Sequence, residues 1–163
     1  MNWEPMIEYG CPKWPDVALR ISKCPVWQAA MTGQALWGGG GHHIWGGVWT
    51  DGAGITLSCG ERLGGLVMPD IRQPCTIGVL LALAEIGINR LHPGTGPLSI
   101  RHHGGGFVEV RCDIGAVLLS RVDRGMQDSY MGWADRANAL APVLERLAER
   151  LSETGRLPPA AQA

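Results

Sequence analysis

Apolar positions follow two rhythms along this chain, and each predicts a different element. Residues 77–86 are apolar on nearly every side: Ile77, Val79, Leu80, Leu81, Ala82, Leu83, Ala84 and Ile86 leave Glu85 as the only charge. Such a segment predicts a helix buried on most of its surface. Pro74 suits its first turn, where a missing N–H costs nothing. Thr76 is a candidate cap and Gly87 a C-terminal stop, so the central helix is expected over 74–87. Farther on, Tyr130, Trp133, Ala137, Leu140, Leu144, Leu147 and Leu151 recur at alternating steps of three and four. Glu145, Arg146, Glu149, Arg150 and Glu153 decorate the other side. That seam predicts a long C-terminal helix over 127–153, kinked or restarted at Pro142.

Elsewhere the period is two. Residues 44–50 and 53–59 flank Asp51-Gly52, a dipeptide suited to a two-residue type I′ turn because both central positions need positive φ. Residues 98–103 and 107–112 flank Gly104-Gly105-Gly106, with Val108, Val110 and Cys112 alternating with Phe107, Glu109 and Arg111. Two hairpins follow from these patterns. Residues 114–122 are expected to add a strand, 60–65 to connect, and 66–68 to form a short strand. The Trp- and Pro-rich segment 1–37 holds two shorter helical pieces, near 15–22 and 26–36. The predicted class is α+β, with antiparallel hairpins packed on a buried central helix. It forms one domain over 1–157, followed by a flexible tail at 158–163.

Composition narrows the function classes. The 163 residues carry 14 basic and 15 acidic side chains, a formal charge of −1. That balance supplies no general attraction to a polyanion, and no Lys or Arg lies between positions 34 and 59, where the aromatics cluster. A nucleic-acid partner is therefore not expected. The strongly apolar run 77–84 is far shorter than the ~20 residues of a membrane helix. The start, Met-Asn-Trp-Glu-Pro, has neither the basic nor the apolar part of a secretory signal, so a cytoplasmic location is expected. Five scattered cysteines fit reduced thiols better than a disulfide framework.

Candidate chemistry is sparse. Seven Trp against one Phe and two Tyr is a skew toward the aromatic that anchors interfaces, and Trp37, Trp45 and Trp49 form the candidate binding surface. No catalytic set is assigned: a Gly-x-Ser-x-Gly elbow, a Walker loop and a His-Glu-x-x-His helix are all missing. The competing reading is a zinc-dependent hydrolase. His42 and His43 follow one glycine run, and His102 and His103 precede another. One His of each pair would join Asp51, Cys59, Cys112 or Asp113 around the metal. Adjacent strand residues point to opposite faces, so one His per pair is the most that can aim at a shared point. A third reading is a homodimer or larger homo-oligomer held through residues 127–153.

The segment Pro69-Asp70-Ile71-Arg72-Gln73-Pro74-Cys75-Thr76-Ile77-Gly78-Val79-Leu80-Leu81-Ala82-Leu83 resembles one common in small uncharacterised proteins of tailed phages and prophages. Those proteins show Pro-Asp-Leu, Asp-Pro-Ala-Thr, a Leu-Gly-Cys-Leu-Leu helix, a few strands and an Ala/Glu/Leu-rich closing helix. Gln73 stands here where the pattern has Asp, which weakens the helix cap. The resemblance carries over no catalytic residue and implies a phage-type accessory protein in the host cytoplasm. With the Trp-rich surface, the leading expectation is a module that binds a protein partner and inhibits a host system.

Overall fold

A computed structural model describes residues 2–31, 48–50, 55–57, 60–63, 66–125 and 132–155. The elements run β1 (Met6–Glu8), α1 (Trp14–Ser22), α2 (Pro25–Met31), β2 (Val48–Thr50), β3 (Ile55–Leu57), β4 (Gly60–Leu63), β5 (Leu66–Pro69), α3 (Pro74–Leu91), β6 (Leu98–His103), β7 (Phe107–Cys112), β8 (Val117–Asp123) and α4 (Trp133–Glu153). The fold is α+β. Its main sheet has the order β1-β8-β7-β6, with β1 parallel to β8 and the other neighbours antiparallel. β2–β3 and β4–β5 form separate antiparallel pairs.

The core lies on one side of the main sheet. α4 packs on β7 and β8, and α3, α1 and α2 pack on α4. Thirteen of the 21 residues of α4 are buried against eight of the 18 of α3, so α4 is the central element. This corrects the expectation for the helix after Pro74: Leu80 and Leu83 are fully buried, but chiefly by a neighbouring helix. The helix also continues past Gly87 to Leu91. Gly87 is a packing position, where an added Cβ would stand 3.0 Å from Leu147 Cδ1. The stop comes from His92-Pro93, because a residue before proline is pushed out of helical geometry.

The extended α3 is long and apolar enough to cross a membrane by length and composition. Its packing against α4 accounts for that character, since the core helix of a globular fold needs the same apolar residues. Its N-cap, Gln73, makes no side-chain capping bond. After α3 the chain is tied back by two side chains. Asn89 Nδ2 donates to Gly96 O at 2.9 Å, and its Oδ1 accepts from Gly96 N–H at 2.9 Å. Glu85 accepts the Leu98 N–H at 2.7 Å, which fixes where β6 begins.

Pro142 sits within α4 without ending it. The Ala139 carbonyl nearby accepts Ser120 Oγ at 2.6 Å, a bond that joins the helix to β8. α4 starts after Gly132, whose left-handed φ of 79° turns the chain into the helix, and positions 127–131 of the expected helix lie outside the described residues. The seam Ala137, Leu140, Leu144, Leu147 and Leu151 is buried inside the protein's own core.

The hairpin of β6 and β7 forms as its alternation predicts, with Gly106 at φ 91° closing the three-glycine turn. β2 and β3 also pair, but Thr50 stands opposite Ile55. A two-residue Asp51-Gly52 turn would put Thr50 opposite Ala53, so the register differs from the expected one. Residues 60–63, expected as a connection, pair as β4 with β5. Of the second helical piece expected over 26–36, residues up to Met31 are helical and the rest lie outside the described residues. The parallel strand β1 has no local signal. It is anchored by Trp3, whose indole N–H donates to Leu119 O at 3.0 Å under the guanidinium groups of Arg146 and Arg150.

Candidate functional site

Alternation along β7 sends Val108, Val110 and Cys112 into the core and leaves Phe107, Glu109 and Arg111 on the outer face of the sheet. The registers then assemble rows across strands. Arg101, Glu109, Arg121 and Ile7 form one row, and His103, Phe107 and Asp123 the next. A register shift after Val110 sets Leu118 opposite Arg111. The helix that packs most heavily on this sheet, α4, lies against its other face, where Val108, Val110 and Cys112 are buried.

Glu109 is the anomaly there. It is 1% exposed although its strand position points outward. Its walls are cations: Arg111 Nε donates to Oε2 at 2.7 Å, while Arg121 Nε and Nη2 donate to Oε1 at 3.1 and 2.6 Å. His103 Nε2 lies 3.0 Å from Oε2. Burial pushes the Glu109 carboxyl up, but the hydrogen bonds from both arginines and the charges of Arg111 and His103 outweigh it and hold it at about 2. Phe107 closes one side, stacked on His103 at 4.5 Å and covered by the Arg121 guanidinium at 4.5 Å. Ile7 and, just past β1, Tyr9 at 84% exposure extend the face at its far edge.

This arrangement suits the holding of groups in place better than the transfer of a proton by Glu109. A carboxylate held near 2 and fully bonded takes no proton at neutral pH. What it does is orient guanidinium groups, since charge-assisted bonds are short and directional.

Among the described residues, no three His, Cys, Asp or Glu gather as a metal site. His102 and His103 fall on opposite faces of β6, as alternation requires. His103 joins Glu109, while the ring of His102 lies against Gly132, where a Cβ would stand 2.9 Å from Cε1. His102 Nε2 and Arg136 Nη1 are buried there without a hydrogen-bond partner. Burial, followed by the charges of Arg136 and Arg124, pushes His102 down, with Asp135 opposing. Cys112 is buried on the core side and Asp113 is exposed, so neither converges with His103. His42, His43, Asp51 and Cys59 lie outside the described residues.

Of the candidate binding surface, Trp49 lies in β2 opposite Thr56, and Trp37 and Trp45 lie outside the described residues. A concavity of about 570 Å³ runs between α1, α2 and α4 and is lined by Arg20, Cys24, Glu145 and Glu149 among others. Arg20 is already forked between Glu8 at 2.8 Å and Glu145 at 2.5 Å. Burial pushes the Cys24 thiol up to about 11, which leaves it inert as a nucleophile at neutral pH.

The Glu109 cluster was missed in the sequence. Its only signal was a carboxylate in mid-strand between valines, with arginines at outward positions of the flanking strands. Compared with models of protein families, with curated proteins and with solved structures, the chain matches none.

Proposed function

We propose that this protein acts by binding a protein partner through the outer face of its four-stranded sheet. One observation carries the reading. Glu109 is buried at an outward position and spends both oxygens on Arg111 and Arg121. Burying a carboxylate is costly, and it is offset here only by fixing two guanidinium groups in place. Rigid, pre-oriented groups lose less entropy when a partner docks, which is how a small face gains affinity. Exposed Ile7 and Tyr9 supply apolar and aromatic contact beside the charges, the mixture that recognition surfaces use. Inhibition of a host system in a phage-infected cytoplasm is the narrower form of this proposal and rests on the resemblance of residues 69–83 alone.

The test is site-specific photo-cross-linking in a lysate of the cell that makes the protein. A cross-linking phenylalanine analogue replaces Tyr9 on the sheet side or, as control, Glu149 on the helical side. The expected result is a discrete adduct through position 9, absent through 149 and competed away by unlabelled protein. Adducts that form equally through both positions, or none through position 9, overturn the reading.

A further inference from the structure

The charges on the outer sheet face carry information about what docks there, and this inference rests on the docking reading above. Glu109 lies among Arg101, Arg111, Arg121 and His103, and its carboxylate is sunk and fully bonded. Asp123, at the corner of the face, is engaged by the Gly10 N–H at 2.7 Å. Arg121 spends Nε and Nη2 on Glu109, while Arg111 spends Nε on Glu109 and Nη1 on the Ala116 carbonyl. Each therefore keeps one terminal nitrogen to donate. Arg101, across from Glu109 on β6, is exposed and makes no ion pair among the described residues. The counter-charge lies beneath the cations, and the chain as a whole carries a charge of only −1. The positive character is local.

From this the geometry points to an acidic polypeptide segment as the occupant, its Asp or Glu side chains pairing with Arg101 and Arg121. These two arginines flank Glu109 on neighbouring strands, so their backbones lie two strand spacings, about 10 Å, apart. Arg101 offers a whole guanidinium fork, which matches a carboxylate in shape as well as charge, and Arg121 adds the one terminal nitrogen that Glu109 leaves it. A nucleic acid is the less suited polyanion. Single strands bind by stacking bases on bare aromatic rings. Phe107, the aromatic among these arginines, is already occupied by His103 and Arg121, and Tyr9 at the far edge is a single bare ring, too few for a run of stacked bases.

The experiment uses the full chain and fluorescence anisotropy with three labelled probes: a short peptide alternating Glu and Ser, a matching Lys/Ser peptide, and oligo-dT. The Glu/Ser peptide is expected to bind at low salt and to weaken as salt rises, with amide shift changes confined to β6, β7 and β8. The substitution Arg101→Glu is expected to weaken it at least about ten-fold, the scale of one lost charge-assisted bond. Because Arg101 supports no other group, circular dichroism should be unchanged, and Arg101→Gln gives a milder loss in the same direction. No binding of the Glu/Ser peptide, equal binding by both Arg101 variants, or tighter binding of oligo-dT overturns the inference. A partner cross-linked through position 9 whose contact segment is neutral or basic also overturns it, yet leaves the docking reading intact. Peptide binding without any such cross-link removes the docking function while keeping the acidic-segment site.

Discussion

Replacing Glu109 by Gln keeps the shape of the side chain and removes its charge. A glutamate carboxyl ordinarily titrates at 4.5, and in the fold this one sits at about 2. Each tenfold difference in proton affinity is worth about 1.4 kcal/mol, so ionised Glu109 contributes roughly 3 kcal/mol to the native state. The folded value is the depressed one. The contribution is therefore complete above about pH 6 and is lost as pH falls from about 4.5 through about 2. Glu109→Gln should cost about 3 kcal/mol at pH 7, where the variant leaves Arg111 and Arg121 facing each other without an anion. At pH 3 the wild type has itself surrendered part of the benefit, and the gap should shrink to about 1.5 kcal/mol. Urea unfolding of both proteins at the two pH values measures this directly. A gap that stays constant between pH 7 and pH 3 would refute the electrostatic account, since a purely steric defect does not titrate. A gap under about 0.5 kcal/mol at pH 7 would show that the arginines find equal partners in water.

Four further outcomes follow from particular contacts. Gly78 has open space where a Cβ would go, so Gly78→Ala should stabilise α3 by about 0.5–1 kcal/mol through helix propensity. At Gly87 the space is filled by the fully buried Leu147, so Gly87→Val should destabilise by about 2 kcal/mol; thermal melts distinguish the two. Asn89→Ala breaks both bonds to Gly96 and a third to the Glu85 carbonyl. It should cost about 1–3 kcal/mol, and faster hydrogen exchange at the start of β6 would report it. Alkylation at pH 8 mapped by mass spectrometry should label exposed Cys11 and Cys75 rapidly and spare buried Cys24 and Cys112 until the protein unfolds.

Much of the secondary structure is legible from spacing. The Val108/Val110/Cys112 alternation, the glycine turn at 104–106 and the Leu140/Leu144/Leu147/Leu151 seam each specify an element by local geometry. The boundary error at Gly87 has a plain cause. A glycine required for close helix packing reads the same as a glycine that ends a helix, and only the position of Leu147 tells them apart. Likewise, an all-round apolar helix and a one-sided one compete for the centre of a fold. α4 wins here because it is wedged between the sheet and the other helices.

Within its own span, the amino-acid sequence determines which side chains of β7 face out, that two long helices form and that their apolar faces must be covered. It does not determine that Glu109 meets Arg121, twelve positions away and on another strand, or that Ile7 lies beside them from near the far end of the chain. Those neighbours come from strand order and register, which the closing of the core selects as a whole. The cluster on the outer sheet face is thus a product of tertiary structure. A carboxylate is buried there because two arginines and a histidine, from two neighbouring strands and its own, converge on it, and each looks ordinary when read along its own strand.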